Sequence, residues 1–167
     1  MSDRVIKAAL LGLGTVGTGV YKVLKSQEEE MSAKVGCKVE ITRILVRNIE
    51  KAAAKVKDPS VLTNSWESIL EDPEIEIVIE LIGGINPARE YILQALNAGK
   101  HVVTANKDLI AVHGHELLDA AHAKKVDFLF EAAVAGGIPI IRPLKQCLAG
   151  NHMTEVMGIV NGTTNFI

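Results

Sequence analysis

An α/β fold built on a doubly wound parallel sheet is predicted by three features of the sequence. The first is residues 7–24, KAALLGLGTVGTGVYKVL, which read as a buried strand, a glycine turn and the first turns of a helix. The second is the alternation of short apolar runs with longer amphipathic stretches along all 167 residues, the pattern of strands returning to one sheet through crossover helices. The third is a hydrophobic content of 48% held in runs too short to span a bilayer, which suits strands covered on both faces.

The opening stretch carries the most chemistry. Ala8, Ala9, Leu10 and Leu11 form the apolar strand, and Gly12, Gly14 and Gly17 give G-x-G-x-x-G. The first glycine permits a tight turn, the second lets backbone approach a pyrophosphate, and the third lets helix pack close to strand. Val16, Val20, Val23 and Leu24 follow at helical spacing as the expected buried stripe. Free N–H groups and the positive end of the helix dipole would then face phosphates. The alternative is a plain strand–helix turn without a ligand.

Composition narrows the rest. The net charge is −2 with Lys and Arg dispersed, so no nucleic-acid footprint is present. The start, MSDRVIKAALLG, lacks the long apolar region of a signal peptide. Cys37 and Cys147 match no metal or redox spacing and are expected to be reduced, buried filler in a cytoplasmic protein with no membrane segment.

In chain order, a helix is expected over residues 15–31, with Glu28, Glu29 and Glu30 at its unfavourable end. A second strand covers 38–46. At its tip stand Val46, Arg47 and Asn48, where a fold selective for NAD would place a carboxylate on the adenosine ribose. A guanidinium there can pair with a 2′-phosphate, which favours NADP or use of both coenzymes; the alternative is an exposed strand-end arginine. Lys51, Lys55 and Lys57 add positive field or form a solvated face. A short helix buries Ala52, Ala53 and Val56 and closes at Pro59, Val61 and Leu62 form a brief third strand, and Asn64 or Ser65 caps a helix holding Trp66 as a packing residue.

The fourth strand is read over 75–82, followed by Gly83 and Gly84, where backbone can approach a ligand. Asn86 is expected to cap a helix with Pro87 at its first position and Gly99 after its end. A fifth strand at 101–103 leads into Thr104, Ala105, Asn106 and Lys107, and Lys107 is placed to reach a nicotinamide ribose or a substrate oxygen; taken alone, it reads first as an ordinary surface lysine. The next helix, over 113–125, buries Leu117, Leu118 and Ala121. Its His115 and Glu116 begin like H-E-x-x-H, but Asp119 stands where the second histidine should be, so no zinc site is expected. A sixth strand at 127–130 runs into Glu131 and an apolar loop with Gly136 and Gly137, which could line a site or hold a hard cation on carbonyl oxygens; the alternative is simple strand-to-helix packing. A helix starting near Pro139 and ending near Gly150 is expected, then a strand over 152–160 and a helix start in the last residues. Those last residues suggest a chain that continues beyond Ile167.

Together these pieces resemble homoserine dehydrogenase over the whole chain. The resemblance rests on GLGTVG at 12–17, VRN at 46–48, ELIGG at 80–84 with Pro87 and Ala88, TANK at 104–107, EAAVAGGIPI at 131–140 and GIVNGTTN at 158–165. It implies a Rossmann-type nucleotide domain at 1–150 and the beginning of a substrate domain at 151–167, entered at Asn161 to Thr164. It also implies NAD(P)-dependent interconversion of L-homoserine and L-aspartate 4-semialdehyde on the route to threonine and methionine, by a homodimer. The pyrophosphate would rest on Gly12, Leu13, Gly14, Thr15, Val16 and Gly17, with Arg47 at the 2′-phosphate. Gly83, Gly84, Thr104 and Lys107 would lie along the nicotinamide. A sodium ion is implied at Glu131, Val134, Gly136 and Ile138. The family's main catalytic lysine and its acidic substrate ligands lie beyond Ile167, which leaves Lys107 a supporting role and implies coenzyme binding with little or no turnover. Two other readings stay open: a semialdehyde dehydrogenase, weakened because neither cysteine falls at a strand's carboxyl end, and a module that senses NAD(P) without chemistry.

Overall fold

The computed structural model describes residues 4–158. Six parallel strands form one sheet in the order β3-β2-β1-β4-β5-β6: β1 (Val5–Leu11), β2 (Lys38–Leu45), β3 (Leu62–Thr63), β4 (Ile75–Glu80), β5 (His101–Thr104) and β6 (Phe128–Leu129). The helices between them are α1 (Thr15–Ser26), α2 (Glu28–Val35), α3 (Ile49–Ala53), α4 (Glu67–Leu70), α5 (Ala88–Asn97) and α6 (Lys107–Lys124). The chain winds outward from β1 to β3, returns, and winds the other way from β4 to β6. The order therefore reverses between β1 and β4, and a crevice opens there at the strands' carboxyl ends.

Successive side chains of a strand face opposite ways, and β1 is buried on both faces. Ala8 and Leu10 pack with Leu13, Tyr21, Ile41 and Ile44 on one side. Ala9 and Leu11 pack with Val78, Ile92, Leu96, Leu109 and Leu117 on the other. This two-sided burial is the doubly wound arrangement predicted from the sequence.

Several boundaries differ from expectation for local reasons. The first helix is two: α1 closes on Gln27, whose N–H bonds Val23 O, and α2 starts at once. Glu28, Glu29 and Glu30 thereby occupy the first turn of α2, where acidic charge meets the positive end of the dipole. The buried face of α1 is Gly17 and Tyr21, with Val20 and Leu24 beside them, while Val16 and Val23 are exposed. Pro59 opens a short 3-10 turn instead of closing a helix. Trp66, not Asn64 or Ser65, holds the N-cap position of α4, and Ser65 Oγ accepts the Ser68 N–H at 3.2 Å from one residue further back. Asn86 does not cap α5; Pro87, on a cis bond, holds the N-cap position and no side chain caps that end. α6 starts six residues before the predicted place because Asn106 caps it, and Leu118 is exposed instead of buried.

Beyond β6 the expectations fail most. Glu131–Ala133 is a 3-10 turn. The predicted helix start at Pro139 falls instead at Ile141 and passes into a π-type turn over Pro143–Cys147, closed by Leu148 N–H on Pro143 O at 3.2 Å. Residues 152–158 are irregular, not a strand. The expected features at 159–167, including Asn161 to Thr164, lie outside the described residues.

Candidate functional site: a nucleotide cleft at the strand reversal

The glycine turn is held by contacts that only glycine permits. Gly12 has φ +100°, and a Cβ on it would lie 3.1 Å from Leu81 O. A Cβ on Gly17 would stand 2.1 Å from Gly12 O, an impossible approach. Gly14 is different: nothing lies within 4 Å of its Cβ position, so the open space there faces outward. Gly14 is also the N-cap of α1, with no side-chain cap and no acidic residue in the first turn. The helical ladder begins with Thr18 N–H on Gly14 O, so the N–H groups ahead of it have no partner within the helix. A helix start left bare in this way presents N–H groups and the positive end of its dipole to whatever faces it.

A cleft of about 1010 Å³ extends from this turn across the reversal. Gly12, Leu13 and Gly14 form one wall, Val46, Arg47, Asn48, Lys51 and Lys55 the β2 side, and Leu81, Ile82, Gly83, Asn86, Pro87 and Tyr91 the β4 side. Its charged lining residues are Arg47, Lys51 and Lys55, and no carboxylate joins them. Lys55 Nζ donates to Leu13 O at 2.8 Å, tying the segment after α3 to the glycine turn. Lys51 and Lys55 thus belong to the cleft, whereas Lys57 is not in its lining. A second hollow of about 520 Å³ between α1 and α2 is lined by Lys25 and three glutamates, the wrong charge for phosphate.

The β4 side rests on a polar network that sequence reasoning left without a role. Glu80, the last residue of β4, is fully buried. Its Oε1 accepts the N–H groups of Ile82 at 2.8 Å and Gly83 at 3.1 Å, and its Oε2 accepts the Thr104 hydroxyl at 2.6 Å. Thr104 Oγ1 accepts Asn106 N–H at 3.0 Å. Asn106 Nδ2 donates to Gly84 O at 2.6 Å, and its Oδ1 caps α6 at Leu109 N–H. Thr104 is therefore buried with its hydroxyl spent on protein groups, not turned to the cleft. Lys107 is exposed as the first residue of α6 and lies outside the cleft lining. The available signal was a carboxylate ending an apolar strand three residues before the first of two paired glycines, with a threonine ending the next strand and an asparagine two residues after it.

None of the remaining candidates lines the cleft. Cys147 is exposed and Cys37 half-buried, so neither is core filler. His113 and Glu116 approach to 3.4 Å, but Glu116 is committed to Arg89, whose Nε and Nη2 donate one to each of its carboxylate oxygens. No cluster of three metal-ligating side chains occurs among the described residues. Glu131 caps the chain that follows it: Oε1 accepts Ile140 N–H at 2.5 Å and Ile141 N–H at 2.9 Å, and Oε2 accepts Arg142 N–H at 2.8 Å. Desolvation pushes its carboxyl up, and the N–H groups of Ile140, Arg142 and Ile141 pull it back further, below the ordinary value. That carboxylate is not free for a cation; Val134, Gly136 and Ile138 offer main-chain oxygens only. No helix among the described residues is long and apolar enough to cross a membrane.

A parallel sheet whose order reverses beside a bare, glycine-led helix start, under a cleft lined with cations, defines a Rossmann-type dinucleotide-binding domain. The family model described as the NAD-binding domain of homoserine dehydrogenase matches residues 12–131, and a homoserine dehydrogenase model matches 139–167. The chain belongs to the homoserine dehydrogenase family. It is 48% identical to the homoserine dehydrogenase of Bacillus subtilis over 98% of its own length and 38% of that protein. Against the enzyme of Corynebacterium glutamicum it is 50% identical over 95% of its length and 36% of that protein. The crystal structure of a homoserine dehydrogenase from Thiobacillus denitrificans superposes with a TM-score of 0.83 at 50% identity, covering 89% of this chain and 34% of that one. The chain thus spans little more than a third of the relatives it matches.

Proposed function

We propose that the chain is the coenzyme-holding part of an NADP(H)-preferring homoserine dehydrogenase, interconverting L-homoserine and L-aspartate 4-semialdehyde as part of a longer, homodimeric cytoplasmic protein. The carrying observation is the cleft: a bare α1 N-terminus on one side, Arg47, Lys51 and Lys55 on the other, and no carboxylate at the tip of β2. A pyrophosphate fits the open space at Gly14, and a 2′-phosphate would meet a guanidinium where ribose hydroxyls would otherwise meet an acid. The coenzyme supplies hydride transfer. This chain's residues bind and orient it: Gly14, Thr15 and Val16 through backbone, Gly83 and Gly84 as a close backbone wall, Arg47 through charge.

Residues 1–150 would form the nucleotide domain, with the substrate domain beginning at 151. Lys107 would assist beside the nicotinamide, not carry the reaction alone, because it does not line the cleft. Residues 1–167 alone should therefore bind coenzyme and turn over little or no homoserine. Sodium, in this reading, would sit on main-chain oxygens of Glu131, Val134, Gly136 and Ile138, since the Glu131 carboxylate is already bonded to N–H groups.

Calorimetric titration with NADPH and NADH tests the reading. Arg47→Ala should weaken NADPH about tenfold and leave NADH within about twofold. Equal loss of both would remove Arg47 from the 2′-phosphate, and failure of either coenzyme to bind the unaltered chain would overturn the assignment.

A further inference from the structure

We propose that Glu80 is a positioning residue that decides which wall of the cleft receives phosphate. It takes the N–H groups of Ile82 and Gly83 inward and leaves that stretch of the wall poor in donors for the other half of the coenzyme. The inference rests on the coenzyme reading above.

The two walls start from similar backbone. Each is a glycine turn leaving the carboxyl end of a central strand, and turns of this kind collect N–H groups that bind anions. On the β1 side those groups stay free at the start of α1. On the β4 side Ile82 and Gly83 point theirs at a carboxylate the chain itself provides. Gly83 and Gly84, with φ of 77° and 73°, are exposed and have no side chains to fix them. Glu80 fixes Gly83 from beneath, and Asn106 grips the Gly84 carbonyl.

Glu80 is an unlikely residue on packing grounds alone. A buried carboxylate is costly unless fully hydrogen-bonded, and an apolar residue would fill the end of β4 more simply. Here its oxygens accept three hydrogen bonds, and no ion pair is described for it among the described residues. That acceptor count matches the two N–H groups and one hydroxyl that reach it. The ring Glu80, Gly83, Gly84, Asn106, Thr104 therefore joins β4, β5, the turn and the start of α6 into one unit, with Lys107 next in line.

Glu80→Gln keeps the shape and replaces one acceptor with a donor. Affinity should be read for two ligands: the better-bound of NADPH and NADH, and its adenosine end alone (adenosine 2′,5′-bisphosphate or AMP). Trp66, the sole tryptophan, stacks on Tyr91 in the cleft wall at 4.7 Å and provides the fluorescence signal. The variant should bind the whole coenzyme about tenfold more weakly and the adenosine end within about twofold of the original. Equal weakening of both ligands, or of neither, overturns the proposal. If Glu80→Gln does not fold, Thr104→Val and Thr104→Ser carry the test. Valine should weaken only the whole coenzyme, about threefold, and serine should restore it; identical behaviour of the two overturns the proposal. If the unaltered chain binds neither ligand, the coenzyme reading itself has failed.

Discussion

Residues 4–130 and residues 131–158 are both rich in apolar side chains and end in different states. In the first region apolar side chains reach two surfaces, one on each face of the sheet. In the second, no residue is buried, although it holds Ile138, Ile140, Leu144, Leu148, Met153, Val156 and Met157. The difference is not hydrophobicity. β1 has a hydrogen-bonded neighbour on each side, whereas 152–158 is paired with no strand among the described residues. An apolar pattern specifies which face could be buried; a partner surface turns the pattern into an element.

The largest effect that sharpens this contrast is a paired truncation. Leu117 is 0% exposed against the α5 side of the sheet and Leu148 is 37% exposed. Leu117→Ala should cost about 4 kcal/mol, the lost transfer energy plus a cavity. Leu148→Ala should change stability by no more than about 0.5 kcal/mol. Urea unfolding of the two variants reads both values, and a comparable loss in each would show that 131–158 is packed after all.

Next in size is a pair within the glycine turn. Gly17→Ala drives a methyl group into Gly12 O and should cost about 3 kcal/mol while abolishing coenzyme binding. Gly14→Ala meets no protein atom. Its melting temperature should stay within about 2 °C, yet coenzyme should bind at least tenfold more weakly, because the methyl occupies the space left for phosphate. A Gly14→Ala protein that binds normally would remove the pyrophosphate from this turn.

These pairs also explain how far the sequence could be read. G-x-G-x-x-G between an apolar run and a helical stripe is a local pattern with one physical solution, and the observed turn follows it. The bounds of α6 were not legible, since Val112, His113 and Gly114 interrupt the periodicity just after its true start and the Asn106 cap lies upstream of them. Glu80 escaped because its three donors come from a turn and from a strand 24 residues away. The bond from Lys55 to Leu13 O, across 42 residues, escaped for the same reason, although the lysine itself was read as a source of positive field. Long-range polar pairing leaves no periodic trace, whereas burial does.

The smallest expected effect tests what organises 131–158 in the absence of a core. Glu131 is joined to Ile140, Ile141 and Arg142 by backbone N–H groups that favour its charged form. Its carboxyl therefore lies below the ordinary value of 4.5 in the folded chain. A carboxyl depressed on folding contributes fully above its unfolded value, and the contribution disappears as pH falls through the lower, folded one. The amide protons of Ile140, Ile141 and Arg142 should consequently shift together in NMR spectra, with one midpoint below 4.5, while Leu117 and other core amides stay unchanged through that step. In Glu131→Gln the three amides should lose the common titration. Independent midpoints in the unaltered chain would mean that these N–H groups answer to something other than Glu131, and that the segment after β6 is organised by a contact other than this carboxylate.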